Sequence, residues 1–536
     1  MARTFNFADL IEIVCDALPE RKALICGAQE RSFSELDERA SRLAGGLAAL
    51  GVEAGDHVGL YLYNGVEYIE AMLACFKLRA VPVNVNYRYV GDELRYLFNN
   101  ADLVAVIHDP EFSALLDEVR DDCDTLKHCI SLDDSEPHNH LVYASLIEQG
   151  DPSLARRERS DDDIFMLYTG GTTGMPKGVM WPHRALFMAA LGGLGIGHPD
   201  GPIKTPEEAG ARAVDGLALS VLVLAPLMHG AAWWSACLAL MRGFTLILNE
   251  QRSLDGEHVW ELVTRQGANI VSIVGDAMAI PLTEALDAHP GRWDLSGVFQ
   301  IGSGGAVFSQ NQQQALKKHL PNVAILNTFG SSESGNMGFA GEKTADKPDG
   351  LGNLERSEFM DVLVQAEDGA WRHTDPGSGE QGIMARSGNI PLGYYKAPEK
   401  TRETFVSVEG KRWLLTGDAA LLEADGTITV LGRGSNCINT GGEKVFPEEV
   451  EIVLKQHPSI RDALVVGAPD ERFTSRITAV VSCQGGEAPD LAAIQDHCRA
   501  HLAGYKVPRA LVYVSEVPRT PSGKPDYPLA LKLATA

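Results

Sequence analysis

Ile164-Phe165-Met166-Leu167-Tyr168-Thr169-Gly170-Gly171-Thr172-Thr173-Gly174-Met175-Pro176-Lys177-Gly178 carries an apolar run directly into a loop of glycines, threonines and one lysine. The apolar residues 164–167 read as a buried strand, so the loop sits at a strand's end. Gly170, Gly171 and Gly174 let the backbone approach a bound group closely, and the Thr172 and Thr173 hydroxyls add donors for phosphate oxygens. Lys177 supplies a mobile positive charge that can follow those oxygens. The segment is not the P-loop of kinases and GTPases, because Gly178 stands where that motif needs Ser or Thr after the lysine. The loop predicts a triphosphate cradle without deciding the reaction.

Working outward, strand and helix periods alternate. Leu36, Ala40, Leu43, Leu47 and Leu50 mark one face of a helix, with Ser34 and Asp37 as its expected N-terminal cap and Gly51 as its stop. Residues 58–63 read as a strand, 67–78 as a helix and 81–85 as another strand. Such alternation predicts an α/β fold, with parallel sheets covered by helices and ligands gathered at the carboxyl ends of strands. Residues 216–241 hold no charged side chain and are long enough to span a bilayer. Pro226, His229 and Gly230 interrupt them, so the segment reads as strand, turn and helix, with no integral membrane span. Beyond a glycine-rich stretch at 377–393, residues 428–431 look like a last strand before Gly432-Arg433-Gly434. From Pro447 a compact α+β pattern resumes: a helix, strands near 463–466 and 478–482, and a helix near 491–502. The expected domains are 1–432 and 433–536.

Composition narrows the function. At 536 residues the chain holds more than one domain, and 45% hydrophobic with 22% charged residues is ordinary for a globular protein. A formal charge of −25 argues against a nucleic-acid partner, while leaving room for a small anion in a local basic site. Nine cysteines without a Cys-x-x-Cys pair fit a reducing compartment, and no secretory signal precedes residue 11, so the expected localisation is cytoplasmic. Cys123 with Cys129, and His138-Asn139-His140, are too sparse for a metal site. Asp161-Asp162-Asp163 reads as a solvated loop.

Several distant segments combine with the first loop. Gly302-Ser303-Gly304-Gly305-Ala306 offers a surface without bulky side chains. Thr328-Phe329-Gly330-Ser331-Ser332-Glu333 follows another apolar run, pairing an aromatic that can stack on a base with a carboxylate that can hold a hard cation. Thr416-Gly417-Asp418 places a carboxylate where ribose hydroxyls can donate to it. Pro518-Arg519-Thr520-Pro521-Ser522-Gly523-Lys524 presents a lysine on a proline- and glycine-shaped turn.

In this order, the five motifs strongly resemble the adenylate-forming superfamily of acyl-CoA synthetases, peptide-synthetase adenylation domains and firefly luciferase. The resemblance covers nearly the whole chain. It implies a large N-terminal domain of packed α/β subdomains and a small mobile α+β C-terminal domain. It implies ATP, Mg²⁺ and CoA as cofactors or co-substrates and a small-molecule carboxylic acid as substrate. Thr169, Gly170, Gly171, Thr172, Thr173, Gly174 and Lys177 would cradle the pyrophosphate. Gly304, Gly305, Phe329, Gly330, Ser331 and Ser332 would line the nucleotide, Asp418 the ribose, and Arg433 the ribose–phosphate region. Thr172 and Glu333 would hold Mg²⁺ and, with Lys524, form the catalytic set; Lys524 is the lysine of the first half-reaction. Gly441, Gly442 and Lys444 match the segment that lines the thioester-forming tunnel after the domain rotates.

By the same resemblance, His229, Gly230, Trp233, Ser303 and Gly304 would border the acyl pocket. The small Gly230-Ala231-Ala232 beside Trp233 and Trp234 implies a roomy hydrophobic site for a fatty or polycyclic acid. Residues 225–236, Gly275-Asp276-Ala277-Met278 and residues 432–451 look more narrowly like actinobacterial synthetases that activate steroid side-chain carboxylates. Three positions depart from the common pattern: Gly170 for serine, Ser332 for threonine, and Asn436 at the hinge where relatives carry Asp or Lys. Loading of a carrier protein, and a silent nucleotide sensor, stay open as alternatives. The sequence leaves room for a homo-oligomer.

Overall fold

Parallel strands buried on both faces organise the large part of the molecule. The computed structural model describes residues 3–133, 140–155, 157–169, 175–195, 199–340, 353–440, 443–470, 474–484, 488–520 and 523–536. In one eight-stranded sheet, Ile164–Thr169, Val81–Asn84, His57–Tyr61, Leu103–His108, His128–Ser131 and Leu141–Val142 run parallel in that order. Lys177–Pro182 returns antiparallel along Ile164–Thr169, placing Lys177 opposite Thr169, and Gly393–Tyr394 closes that edge. The phosphate-loop residues expected from the sequence, Gly170, Gly171, Thr172, Thr173 and Gly174, lie outside the described residues; Thr169 and Lys177 on either side of them are paired.

The second eight-stranded sheet runs Ala324–Ser331, Gln300–Gly304, Ile270–Ile273, Ser220–Val223, Thr245–Leu248 and Lys22–Cys26 in parallel, with antiparallel edges Gly335–Ala340 and Gln29–Ser32. Every residue of His57–Tyr61 is buried, as expected of a parallel strand covered on both sides. An antiparallel seven-stranded sheet follows, in which Lys411–Leu422 pairs with Thr427–Arg433. The last part is small. Ile460–Asp470 and Thr474–Cys483 pair antiparallel, Ala510–Tyr513 joins in parallel, and the helices Pro447–Leu454, Leu491–Arg499 and Tyr527–Thr535 accompany them.

The uncharged segment divides into the strand Ser220–Val223 and the helix Gly230–Met241. No helix among the described residues is long and apolar enough to cross a membrane. The helix expected after Ser34 spans Phe33–Ala49, and its cap is Ser32: Ser32 Oγ accepts from the Glu35 amide at 3.1 Å while Glu35 accepts from the Ser32 amide at 2.8 Å. The fully buried Phe33 fixes this earlier start, and Asp37 instead accepts from Lys77 at 2.7 Å. Gly51, at φ +87°, does follow the helix end.

The acidic triplet is not a solvated loop throughout. Asp161 accepts from the Phe5 amide (2.8 Å), and Asp163 accepts from Asn6 Nδ2 (2.8 Å) and pairs with Arg79 (2.8 Å). These contacts fasten the N-terminal helix Phe7–Ala17 to the first sheet. Beneath that helix, Glu12 accepts from Arg159 through both guanidinium Nη atoms at 2.9 Å and from Lys77 at 2.5 Å. Burial alone would raise the Glu12 pKa, but Lys77 and Arg159 outweigh it and pull the group down to about 2.

Glu12→Gln is expected to cost roughly 3 kcal/mol of stability near neutral pH, the equivalent of the gap between about 2 and the ordinary 4.5. Because the folded-state pKa is the lower one, this contribution is complete above about pH 4.5 and is lost as pH falls toward 2. Thermal melts of the two proteins should converge on acidification. A gap that stays constant would show that the Glu12 charge is not its source.

Candidate active site

Asn84 ends a buried strand of the first sheet and joins both sheets. Its Nδ2 donates to the Tyr168 carbonyl at 2.9 Å and to the Met228 carbonyl at 2.7 Å, while its Oδ1 accepts from the Tyr168 amide at 2.8 Å. Tyr168 leads into the phosphate loop, and Met228 lies in the turn after a strand of the second sheet. Trp181, fully buried, adds a second tie by donating from Nε1 to the Ser332 carbonyl at 2.8 Å. The carboxyl ends of both sets of parallel strands thus face one cleft, where ligands collect in such folds.

Glu333 sits on the turn of the hairpin formed by Ala324–Ser331 and Gly335–Ala340. Tyr394 donates to its carboxylate at 3.2 Å. The Ser331 amide donates to Ser334 Oγ at 2.9 Å, which holds the turn closed. Behind it lies Arg386, buried in the strand Gly382–Ser387. Its guanidinium donates to the carbonyls of Ser334 (2.6 Å) and Asn336, and it has no acidic partner among the described residues. Burial pushes its pKa down to about 10. Asn84, Arg386 and Tyr394 belong to none of the sequence motifs; a polar or charged residue inside an otherwise apolar strand was the available signal for the first two.

Asp418, buried within the strand Lys411–Leu422, pairs with Arg433 at 3.1 Å. Burial raises its pKa, with Arg433 opposing. Lys524 arrives from the small C-terminal part and lies with its Cε 3.7 Å from the point where a Cβ on Gly305 would stand. Lys524 keeps access to the solvent of the cleft, with protein crowding its other sides. That crowding first, and Arg433 second, lower its pKa, while Glu333 pulls the other way. Burial, then Lys524 and Arg88, press the His229 imidazole down to about 3, so it is neutral, and its Nε2 has no partner among the described residues. Lys524, Glu333, Arg433, Asp418 and His229 therefore lie near enough for their charges to act on one another.

The remaining expected residues sort themselves by position. Thr169 and Lys177 face each other at the mouth of the phosphate hairpin. Gly304 and Gly305 leave their face open, with Thr328 3.6 Å from a Cβ built on Gly304. A Cβ on Gly230 would stand 2.5 Å from Leu167 Cδ2, so this glycine lets the segment after Met228 approach the strand Ile164–Thr169, with Ser332 Oγ in ordinary contact at 3.5 Å. Phe329 packs partly buried on the cluster of Met337, Leu354 and Met360. Ser303 is buried and accepts from the Gly275 amide at 3.0 Å. Trp233 does not face the cleft: it is fully buried, its ring 4.5 Å from that of Phe165 and its Nε1 directed at Met72 Sδ. Trp234 is the tryptophan turned toward Trp181. Lys444 is exposed on a small hairpin whose turn residues Gly441 and Gly442, like Pro521 and Ser522 of the lysine turn, lie outside the described residues.

No group of three or more His, Cys, Asp or Glu among the described residues could hold a metal by itself. Glu333 offers one hard oxygen ligand set, which suits Mg²⁺ carried mainly by substrate phosphates.

The AMP-binding enzyme family matches residues 11–395, and the AMP-binding enzyme C-terminal domain matches residues 449–524. The chain is 42% identical to a 3-oxocholest-4-en-26-oate–CoA ligase of Rhodococcus rhodochrous, over 97% of this chain and 94% of that protein. It is 41% identical to a medium/long-chain-fatty-acid–CoA/3-oxocholest-4-en-26-oate–CoA ligase of Mycobacterium tuberculosis (strain ATCC 25618 / H37Rv), over 98% and 96%. Its fold is similar to that of the anthranilate CoA ligase AuaEII in complex with anthranoyl-AMP, with a TM-score of 0.82 at 24% identity over 100% of this chain and 98% of that one.

Gly330 precedes the Glu333 turn, and a Cβ there would stand 2.0 Å from the Gly335 carbonyl oxygen. Gly330→Ala must therefore open the hairpin and displace Glu333. ATP-dependent turnover is expected to fall about a hundredfold, the scale of a misplaced active-site group. Unchanged turnover in a steady-state assay would show that the hairpin does not set the position of Glu333.

Proposed function

The chain belongs to the AMP-binding enzyme family, and from that premise we propose how its own residues carry out an acyl-CoA synthetase reaction. The enzyme is an AMP-forming acid–thiol ligase that uses ATP and CoA. Its acid is a hydrophobic carboxylate, a long-chain fatty acid or a steroid side-chain carboxylate. The names of the relatives and the small residues Gly230-Ala231-Ala232 at the cleft support this choice.

The observation that carries the mechanism is the entry of Lys524, from the far end of the chain, into the space bounded by Gly305, Glu333, Arg433 and His229. A carboxylate oxygen attacks the α-phosphorus of ATP, and pyrophosphate leaves. Two anions must meet, so the barrier is electrostatic and is lowered by positive charge already in place. Lys524 stands on the developing negative charge, and Lys177, with the hydroxyls of Thr172 and Thr173, steadies the departing pyrophosphate. Asp418 accepts from the ribose hydroxyls and Arg433 covers the ribose–phosphate region. Glu333 and Thr172 would hold Mg²⁺, which supplies charge neutralisation on the phosphates when bound. The neutral His229 borders the acyl group without adding a second cation beside Lys524.

The acyl-adenylate carries a good leaving group, so the CoA thiol attacks its carbonyl without a covalent enzyme nucleophile. For this second step the C-terminal domain, 433–536, swings about the Gly432–Asn436 region. Lys524 then leaves, and the segment with Gly441, Gly442 and Lys444 takes its place.

Lys524→Ala is expected to slow adenylate formation about 10²–10³-fold and largely to spare thioester formation from supplied acyl-adenylate. Pyrophosphate exchange and thioesterification measured separately check this, and equal loss of both would refute the role. CoA-dependent turnover of a steroid side-chain acid against palmitate tests the acid; a clear palmitate preference would remove the steroid reading.

A further inference from the structure

We propose that Asp276, Lys455, Asp462 and Arg519 form an ion chain across the two domains whose function is to position Lys524 for the first half-reaction. The proposal rests on Lys524 being the lysine of that step. Lys455, at the end of the helix Pro447–Leu454, places its ammonium 3.2 Å from Asp276 of the large domain and 3.1 Å from Asp462 of the small one. All three side chains are almost fully buried, at 6%, 2% and 8% exposed. Asp462 in turn accepts from two nitrogens of Arg519, at 3.0 and 2.6 Å. Arg519 donates onward to the Gly523 carbonyl at 3.1 Å, the residue before Lys524.

Both ends of this chain are held. Asp276 Oδ1 accepts from the Ser309 amide at 2.8 Å and from its hydroxyl at 3.0 Å, leaving Oδ2 for Lys455. At the other end, the Thr520 amide donates to the Lys524 carbonyl at 2.8 Å and the Gly523 amide to the Thr520 carbonyl at 2.9 Å. Gly523 has φ +77°, and a Cβ there would stand 3.1 Å from Ala277 Cβ, one residue past Asp276. The lysine turn thus rests on the same helix start that supplies the anion. Burial disfavours the charge on Lys455, yet Asp462 and Asp276 outweigh it and raise its pKa above the ordinary lysine value.

A buried ion pair contributes little net stability against a well-packed apolar alternative, but it fails sharply when one partner is missing or displaced. It therefore selects one register between the surfaces it joins. Here the register is the one in which Lys524 reaches Gly305. When the small domain swings, Lys455, Asp462 and Arg519 travel together, and Asp276 stays behind with Ser309. Asp276 is thus engaged in one half-reaction only. It is a positioning residue, since its carboxylate acts on Lys524 through the chain and touches no substrate.

Asp276→Asn keeps the Oδ1 acceptor for Ser309 and removes the charge facing Lys455. In the full-length enzyme, pyrophosphate exchange is expected to fall about ten- to a hundredfold, the scale of one lost hydrogen bond to a charged group. Thioester formation from supplied acyl-adenylate should remain at the wild-type rate or rise, which also shows that the variant folds. Loss of both half-reactions in a variant that melts normally, or loss of neither, would overturn the proposal. If Asp276→Asn does not fold, Lys455→Gln is judged by the same split. Lys524→Ala measured alongside separates the two levels: a split there with none in Asp276→Asn rejects the ion chain, and no split in Lys524→Ala rejects the underlying role of the lysine.

Discussion

Two side-chain amides hold the strand ends of the two large sheets together: the buried Asn84 bonds to Tyr168 on one side and Met228 on the other, and Asn64 bonds to Ala225 and Leu227. Each parallel sheet alone would present its own row of strand ends. Joined, they present a single cleft, with the Thr169–Lys177 pair at the edge of the first sheet and the Glu333 hairpin entering from the second. Trp181 reinforces the joint by holding the Ser332 carbonyl. Arg386 holds the Glu333 turn from behind through carbonyl oxygens alone. Removing an acceptor from such a buried guanidinium is costly, so the turn has little freedom to move.

The second constraint concerns charge. The cleft combines Lys524, Arg433 and Arg88 with the carboxyl groups of Glu333, Asp418 and Glu448, in a chain whose overall charge is −25. Cations gathered in one place inside an acidic protein suit a polyphosphate ligand. Arg433 is held by Asp418. The pKa of Lys524 is lowered, by burial first and by Arg433 second, against the pull of Glu333. A lysine in that position gains most when a negative charge develops beside it. In the proposed mechanism the first step provides that charge and the second has no use for the lysine, which is why we place the group on a domain that swings.

Much of this architecture was legible in the sequence because parallel strands covered on both faces appear as uninterrupted apolar runs. The strands expected at 164–167 and within 217–224 could be found that way, the antiparallel strand near 428–431 by a shorter apolar run, and the helix after residue 33 by its three- and four-residue period. What stayed hidden depends on distant partners. Asp161 and Asp163 looked solvated because Phe5, Asn6 and Arg79, which occupy them, lie far away in the chain. Trp233 is expected at the pocket by resemblance, and the sequence could not correct this because Gly230–Met241 is apolar all round and carries no period that says which face is inside. The cap shifted from Ser34 to Ser32 because both serines offer a hydroxyl, and only the burial of Phe33 distinguishes them. Lys524 and Glu333 were found as members of a familiar order of motifs. Asp276 stood in a segment of the narrower resemblance with no role attached and Lys455 in none, and only the folded chain brings them together.

Activation of the acid as a mixed anhydride with AMP, before any thiol reacts, is the step for which the charges of the cleft are arranged. Transfer of an isotopic label tests it most directly. An oxygen of the carboxylate attacks phosphorus and remains on AMP when CoA displaces it. Turnover of an acid labelled with oxygen-18 in its carboxylate should therefore yield AMP carrying a single labelled oxygen, detected by mass spectrometry. Unlabelled AMP formed alongside the acyl-CoA would contradict this mechanism.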